Sequence, residues 1–512
     1  MNRGGRETAS LPILRDRHFV GHEQFRPTDG GYSLLPFRFL RLDNHECLVS
    51  ECGEYLFAPT GTAKRIVSRR IDPTSGLYGD LCAKQFIADA RYGTDLELLA
   101  TKVRSKRHRA LGPTQLHIFV VTLRCDHSCR YCQVSRQVAT HREFDMDEAT
   151  ARRAVATMME SPAQDLTVEF QGGEPTLAQY RIEQLIHDAK DAAAQKGKSL
   201  SFVITTNLAN VTTEALALFR EEGVRVSTSL DGPAFIHNAN RPRPGNNSHE
   251  LAIAGIDACR DALGADRVSA LMTTTQLSLQ HPVEIVDEYV RRSLHSIFLR
   301  PLSPYGFATR SGSRTGYHDD QFFAFFRQAL DRIIELNLGG YPLTEVYSRI
   351  VLTKILTPVG TGYVDLQSPA GAGFGVLVYN YDGDVYLSDE GRMLAEMDDR
   401  TMRIGNVHHH SRRELLRSSQ FVSMAEAWCN ESLPGCSDCA FQLYCGADPV
   451  FNHATQGDVV GYRPASAFCN RNMAIISHLL QLLEFGSDDV RRVLWSWITP
   501  NTLSATSAGA TQ

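Results

Sequence analysis

From about residue 115 the apolar positions of the chain fall into an alternation of two periods. "QLHIFVVTL" (115–123) is a near-continuous apolar, β-branched run, as expected of a strand covered on both faces. "FDMDEATARRAVATMME" follows at helical spacing, with Asp145 or Asp147 near the helix start. The pair then recurs. "LTVEF" precedes the helix "LAQYRIEQLIHDAKDAAAQ", "LSFVITT" a helix from about 213, and "VRVSTSL" a helix from about 248. "RVSALMTTT" precedes a helix near 283–292, and "SIFLRPL" precedes "DQFFAFFRQALDRIIELN". Six strand–helix units of about 30 residues predict a parallel sheet with helices on its outer face. Six units fall short of the closed eight-unit barrel, so the expected fold is α/β, a partial (β/α)6 barrel over 113–340. Ligands in such sheets bind at the carboxyl ends of the strands.

The flanks read differently. Over 30–112, "PFRFLRL", "ECLVSE" and "EYLFAP" predict three short strands joined by "DN" and "CG" turns, with helical stretches around "TAKRIVSRR" and "GDLCAKQFIAD". This is a small α+β module without a catalytic constellation. Over 341–485, "GVLVYNYDGDVYLSD" predicts a hairpin turning at "YDG", followed by cysteine-rich loops and a helix near 472–484. The polar tail at 498–512 predicts disorder. The run "HHH" at 408–410 reads as a solvated surface stretch.

Composition removes several classes. Hydrophobic residues make up 43% and charged residues 22% of 512, which is ordinary for a soluble globular protein. No apolar run approaches the roughly 18 residues of a membrane span. "MNRGGRETASLPILRDRHFV" lacks the apolar block of a secretion signal, so a cytoplasmic location is expected. A net charge of −5 without a basic, aromatic-laced stretch argues against nucleic-acid partners. Twelve cysteines are the departure, and in a reducing compartment clustered cysteines point to metal. Cys47, Cys52, Cys82 and Cys259 are scattered and read as buried small apolar residues.

Cys125, Cys129 and Cys132 sit in the loop after the first barrel strand. Structural zinc would want four ligands. A redox dithiol would leave Cys125 idle. A [4Fe–4S] cluster on three thiolates leaves one iron open to an outside ligand. Spacing alone leaves these three readings standing.

The barrel section resembles the radical S-adenosylmethionine (SAM) superfamily, whose signature is Cys-x3-Cys-x2-Cys after the first strand, with an aromatic such as Tyr131 before the last cysteine. "QGGEP" (171–175), "TTN" (205–207) and "SLDGPAFIHNANR" (229–241) fall at the next strand ends and resemble that family's cofactor segments. The resemblance implies that the fourth ligand is SAM itself. Gly172 and Gly173 would let the backbone approach its methionine part, and Glu174 would accept from its ammonium. Thr206, Asn207, Ser229 and Asp231 would lie near the cofactor, and Arg241 would pair with its carboxylate.

"CSDCAFQLYC" gives Cys436, Cys439 and Cys445, with Cys469 downstream. A zinc knuckle is one reading. A second, fully ligated iron–sulfur cluster is the other, and it resembles the SPASM-like extension of peptide-modifying maturases. That extension usually carries two auxiliary clusters, and this chain departs from it. Ser388 and Pro449 stand where cysteines are expected, so only the cluster of Cys436, Cys439, Cys445 and Cys469 is retained, with Cys429 unassigned. Asp389 falls where sulfatase maturases place a proton-accepting carboxylate.

Over about 30–485 the chain resembles the His-Xaa-Ser system radical SAM maturases (B component), and the N-terminal module is broadly similar to winged peptide-recognition elements. The resemblance implies a ribosomally made precursor peptide, a second radical SAM partner, and an electron donor such as flavodoxin or ferredoxin. A 5′-deoxyadenosyl radical would take a hydrogen from the peptide, ending in a crosslink or an oxidation. The alternatives are formylglycine formation as in anaerobic sulfatase maturases, and a zinc-stabilised scaffold without turnover.

Overall fold

The computed structural model describes residues 31–92, 96–108, 112–310, 316–425 and 427–498. The contacts divide the chain into two compact units, parting between Thr101 and Lys102. The tail expected at 498–512 lies outside the described residues from 499 onward.

In the first unit, β1 (Phe37–Leu42), β2 (His45–Ser50) and β3 (Tyr55–Pro59) form an antiparallel meander. Asp43 and Gly53 take the left-handed backbone at its two turns. Helix α1 (Thr62–Val67) has no side-chain cap of its own. Buried Glu46 supplies one from the neighbouring strand, accepting from Gly61 N at 2.9 Å and Ala63 N at 2.8 Å. Helix α2 (Gly76–Ala83) stops before the expected helical stretch ends, because Gln85 turns left-handed. Ile87–Ala88 then pairs with Ser33–Leu34 as a short antiparallel bridge. Helix α3 (Leu96–Arg107) was not marked by the pattern; of its residues only Leu99 is buried.

The second unit carries the alternation. Its strands are β4 (Leu116–Thr122), β5 (Asp165–Gly172), β6 (Ser199–Thr206), β7 (Arg225–Ser229), β8 (Val268–Thr273) and β9 (Leu299–Arg300). They pair in parallel and in chain order. Between them run α4 (Glu148–Met158), α5 (Gln179–Lys196), α6 (Thr213–Glu221), α7 (Ala234–Asn240), α8 (Ser248–Leu263) and α9 (Pro282–Arg291). Asp147, rather than Asp145, caps α4 by accepting from Thr150 N at 2.7 Å. Helix α10 (Asp319–Leu338) buries Phe322, Phe325, Phe326, Ala329, Leu330, Ile333 and Ile334, a stripe of helical period. The sixth strand is interrupted. Ser296–Ile297 pairs with Thr344–Glu345, and only Leu299–Arg300 joins β8.

The boundary expected at 340 does not separate a compact unit. Helix α11 (Val346–Leu356) leads to a hairpin of β10 (Val376–Tyr379) and β11 (Asp384–Tyr386), turning at Gly383 as "YDG" predicts. Strand β10 pairs in parallel with β4, Val376 opposite Leu116. With β12 (Arg403–Asn406), the hairpin extends the barrel sheet to nine strands, in the order β9-β8-β7-β6-β5-β4-β10-β11-β12. Helix α12 (Asp389–Ala395) starts just after β11, which runs antiparallel to β10, so its first residues lie toward the amino end of β4. Helices α13 (Pro449–Gln456), α14 (Ala467–Phe485) and α15 (Asp488–Ser496) complete the unit. His408 is half-buried and bonded to Thr150 Oγ1 at 2.9 Å, whereas His409 and His410 are exposed, as a surface run would be.

Phe326 is fully buried. Phe326→Ala should cost about 3–5 kcal/mol through lost contacts and a residual cavity. Urea unfolding of the anaerobic protein would register this as a lower midpoint at unchanged slope.

Candidate functional site

The three-cysteine loop starts from a buried anchor. Arg124, one residue before Cys125, donates to Asp145 from Nε at 2.7 Å and from Nη2 at 2.8 Å. The same side chain reaches the carbonyls of Ala139 and Leu177. Both members of the pair are under a tenth exposed. The loop backbone then hangs on two other segments. Ser128 N donates to Pro242 O, Arg130 N to Asn240 O, and Phe307 N to Cys132 O, at 2.7–3.0 Å. Cys125, Cys129 and Cys132 all face one cavity of about 300 Å³ at the carboxyl ends of the strands.

The strand ends around them are locked by backbone contact. Gly173 N donates to Thr122 O at 2.8 Å, and Glu174 N to Arg124 O at 2.6 Å. A Cβ on Gly172 would stand 2.0 Å from Thr122 O, and one on Gly173 would stand 2.3 Å from Arg124 O. These glycines are therefore required by the first strand and its loop, whatever lies in the cavity they line. Glu174 is 1% exposed and does not reach the cavity. Its carboxylate accepts from Thr176 N and Oγ1, Thr206 Oγ1 and Asn207 N. The expectation that it takes the SAM ammonium meets a carboxylate already engaged in joining two strand ends.

A second buried group stands behind the loop. Tyr131 donates to both carboxylate oxygens of Asp231, at 2.8 and 3.0 Å, and accepts from Arg241 Nη1 at 2.7 Å. Asp231 is fully buried and lies off the cavity, whereas Tyr131 and Arg241 line it. Thr206, Asn207 and Ser229 also line it. Asn207 Nδ2 donates to Asp126 Oδ1 at 2.8 Å and lies 3.0 Å from His127 Nδ1. Cys125, Asp126 and His127 have ligand atoms within 4.8 Å of one another. They do not make a metal site, because His127 is spent on Asp126 and Ser248, and Asp126 on Asn207 and Asn210.

The opposite wall comes from the hairpin and the C-terminal segments. Ser388, where the resemblance expects a cysteine, caps α12 by accepting from Gly391 N at 3.1 Å. Asp389 faces the cavity and pairs with fully buried Arg392 at 2.6 Å, so it is not the exposed hairpin residue a turn would give. Four further acids that the sequence did not single out line the same space: Glu169, Asp365, Glu390 and Asp448. Burial pushes Glu169 up to about 7, with Gln171 and Thr205 opposing as donors. Burial likewise raises Asp365 to about 6, and Glu390 and Asp448 to about 7.

The four C-terminal cysteines lie near one another. Cys469, on the first turn of α14, lies within electrostatic reach of Cys436 and Cys439, and Cys445 within reach of Cys439 and Cys469. Cys429 faces Glu431 and Arg107 instead, apart from these four. Arg463 Nε donates to Cys436 Sγ at 3.0 Å. Buried Lys354 donates to the carbonyl of Cys445 at 2.7 Å. Tetrahedral zinc, with Zn–S near 2.3 Å, requires sulfurs about 3.8 Å apart. Among the described residues, no three of these four sulfurs come within 4.8 Å of one another. Burial holds Cys129 and Cys469 up at about 11 and Cys445 at about 12, so these groups are thiols until a metal binds them.

Residues 119–293 match the family model described as the Radical SAM superfamily. The serine-type anaerobic sulfatase-maturating enzyme of Klebsiella aerogenes is 26% identical over 208 residues, 39% of this chain and 50% of that protein. This chain thus spans half the length of that curated relative. Among solved structures, native anSMEcpe with bound AdoMet aligns with a TM-score of 0.60 at 16% identity, covering 75% of this chain and 100% of that one. The same protein was also solved with AdoMet and the Kp18Cys peptide. Streptococcus suis SuiB bound to S-adenosylmethionine aligns at 0.51 with 12% identity, covering 84% and 98%. The chain therefore carries a radical SAM domain, the class that binds SAM and a [4Fe–4S] cluster.

Removing the anchor of the cysteine loop tests how the site is held. Asp145→Ala leaves a buried guanidinium unpaired and should cost about 3–5 kcal/mol. The purified variant should also retain less iron than the wild type, read by metal analysis after anaerobic reconstitution.

Proposed function

We propose that this protein is a peptide-modifying radical SAM maturase with one auxiliary iron–sulfur cluster. One observation carries the reading. A single cavity is lined on one side by Cys125, Cys129 and Cys132 with Arg241, Asn207 and Ser229, and on the other by Asp389. When bound, the cluster and SAM supply a 5′-deoxyadenosyl radical that abstracts hydrogen from a substrate.

The chain's own residues hold and shape that chemistry. Cys125, Cys129 and Cys132 would hold the cluster, leaving one iron for SAM. Arg241, already oriented by Tyr131 and Asp231, offers its guanidinium to the SAM carboxylate. Gly172 and Gly173 present backbone, and Thr206, Asn207 and Ser229 polar side chains, to the rest of the cofactor. Asp389, held by Arg392, would take a proton from the substrate radical while the auxiliary cluster would accept its electron. Cys436, Cys439, Cys445 and Cys469 hold the auxiliary cluster, with Arg463 and Lys354 adding positive charge beside it. A flavodoxin or ferredoxin delivers electrons, and a second radical SAM protein acts on the same precursor peptide.

Formylglycine formation is the second reading, favoured by the Klebsiella maturase likeness and by the position of Asp389. Ser388 weighs against it, since it caps a helix where the first auxiliary cluster's cysteine is expected. A zinc scaffold without turnover is the remaining alternative, separated by metal content.

Anaerobically reconstituted protein should bind about eight irons, four per cube. The Cys125/Cys129/Cys132→Ala variant should keep about four and release no 5′-deoxyadenosine from SAM. Appreciable 5′-deoxyadenosine from that variant contradicts the assignment, and zinc in place of four irons favours the scaffold. With small peptides encoded beside this gene as substrates, Asp389→Asn should still cleave SAM but yield little modified peptide. Equal amounts of both products from Asp389→Asn and wild type would remove Asp389 from the chemistry, with 5′-deoxyadenosine and peptide mass read in one reaction.

A further inference from the structure

The acids lining the cavity outnumber the positive charges around them. Asp389 is paired with Arg392. That leaves Glu169, Asp365, Glu390 and Asp448 facing Arg300 and Arg471. Neither arginine reaches a carboxylate within 4.0 Å among the described residues, and Arg471 lies instead against the rings of Phe451 and Phe468.

Tyr305 supplies a second, independent observation. It lines the cavity, is 2% exposed, and its hydroxyl has no hydrogen-bond partner among the described residues. The charges it faces are Asp448, Glu390, Asp365 and, opposing them, Arg471. A buried hydroxyl costs free energy unless something meets it, so a group able to occupy this corner is missing. Asp365, Glu390 and Asp448 are spread too widely to close on one small metal ion, since their ligand oxygens do not all lie within 4.8 Å of one another. A planar cation with several donors spans such a set.

We propose that Asp365, Glu390, Asp448 and Tyr305 form a subsite for a cationic side chain of the peptide, a guanidinium in preference to an ammonium. The inference rests on the reading of the cavity as a peptide site. The carboxylates accept from the cation, and the Tyr305 hydroxyl, a donor as well as an acceptor, completes the ring of contacts. The cation fixes one residue of the substrate, leaving another to face the cysteine side.

The empty subsite holds protons that the cation displaces. Around Asp365 stand Arg300, Asp448, Tyr363 and Asp389, around Glu390 stand Asp365, Asp389 and Arg300, and around Asp448 stand Glu390 and Arg471. Burial raises all three carboxyls to about 6–7, and a bound cation favours their ionised forms. Below pH 6 the acids are protonated and attract no cation. Above pH 7 they are ionised, so affinity rises with pH and binding at neutral pH releases protons.

The test uses the reconstituted, SAM-loaded protein and three probes, N-acetyl-arginine amide, N-acetyl-lysine amide and the neutral isostere N-acetyl-citrulline amide, in calorimetric titrations. The arginine amide should bind roughly tenfold tighter at pH 8 than at pH 6 and release protons in buffers of different ionisation heat. Glu390→Gln and Asp448→Asn should each weaken it about tenfold or more. Asparagine keeps the helix cap that Asp448 gives to Phe451 N, and thermal melts with iron content check that both variants fold. Lysine-amide binding as tight as arginine-amide binding would overturn the guanidinium preference. Equal binding of the arginine and citrulline amides, or wild-type binding by both variants, overturns the subsite. Displacement of the arginine amide by micromolar Mn2+ overturns it in favour of a metal site. Peptide modification with a KM unchanged by pH and by Glu390→Gln removes the subsite and leaves the maturase reading intact. Arginine-amide binding as stated, with no SAM cleavage, removes the maturase reading and leaves the subsite.

Discussion

The end of β5 lies against the end of β4 at a distance that only glycine permits. At Gly172 and Gly173 any Cβ would stand within 2.0–2.3 Å of a carbonyl oxygen of Thr122 or Arg124. That closeness lets Glu174 drop behind the strand ends, where its carboxylate gathers donors from the β5 turn and from the end of β6. Three consecutive pieces of chain are thereby fixed to one another: the first residues of the cysteine loop, the turn after β5 and the turn after β6. Arg124, bonded to Asp145 and two carbonyls, fixes the loop from the other side. The cysteines are thus carried by a rigid support before any metal arrives, which reduces the ordering a cluster must impose when it binds.

The cavity above this support is divided in chemistry. Its floor is thiols, backbone and the Tyr131–Arg241 pair, suited to a cluster and an amino-acid-bearing cofactor. Its far wall is acidic, brought in by segments that follow the barrel. The hairpin makes this possible. Because β10 pairs with β4 and β11 runs back beside β10, the last hairpin residues, Ser388 to Glu390, line the same cavity as the cysteines from the amino end of β4. A module attached by a linker alone would not hold Asp389 in a fixed place.

The barrel was legible because strands such as β4 are short apolar runs and because strand and helix patterns recur in turn. The hairpin was legible from its "YDG" turn, and the cysteine loop from its position after the first barrel strand. Other parts carried no comparable signal. Helix α11 is buried at Ser348, Ile350, Val351, Leu352, Thr353, Lys354 and Ile355, and a helix apolar on most sides shows no stripe. Helix α3 fails in the opposite way, with almost nothing buried. The roles of Gly172, Gly173 and Glu174 were visible only as positions. Their physical reason lies in the neighbouring strand, and no local pattern records it. The acids Asp365, Glu390 and Asp448 are distant in sequence and sit in ordinary turn and helix-start contexts, so only the folded chain brings them together with Tyr305.

The central claim is that two different iron–sulfur sites serve one cavity, and that only the one on Cys125, Cys129 and Cys132 takes SAM. Electron paramagnetic resonance of the dithionite-reduced, reconstituted protein tests it directly, with spectra recorded before and after SAM is added. The account predicts signals from two reduced clusters, one of which changes on SAM addition while the other, lost in Cys436→Ala, stays the same. A spectrum that SAM leaves unaltered, or one in which the SAM-sensitive signal survives replacement of Cys125, Cys129 and Cys132, would contradict it.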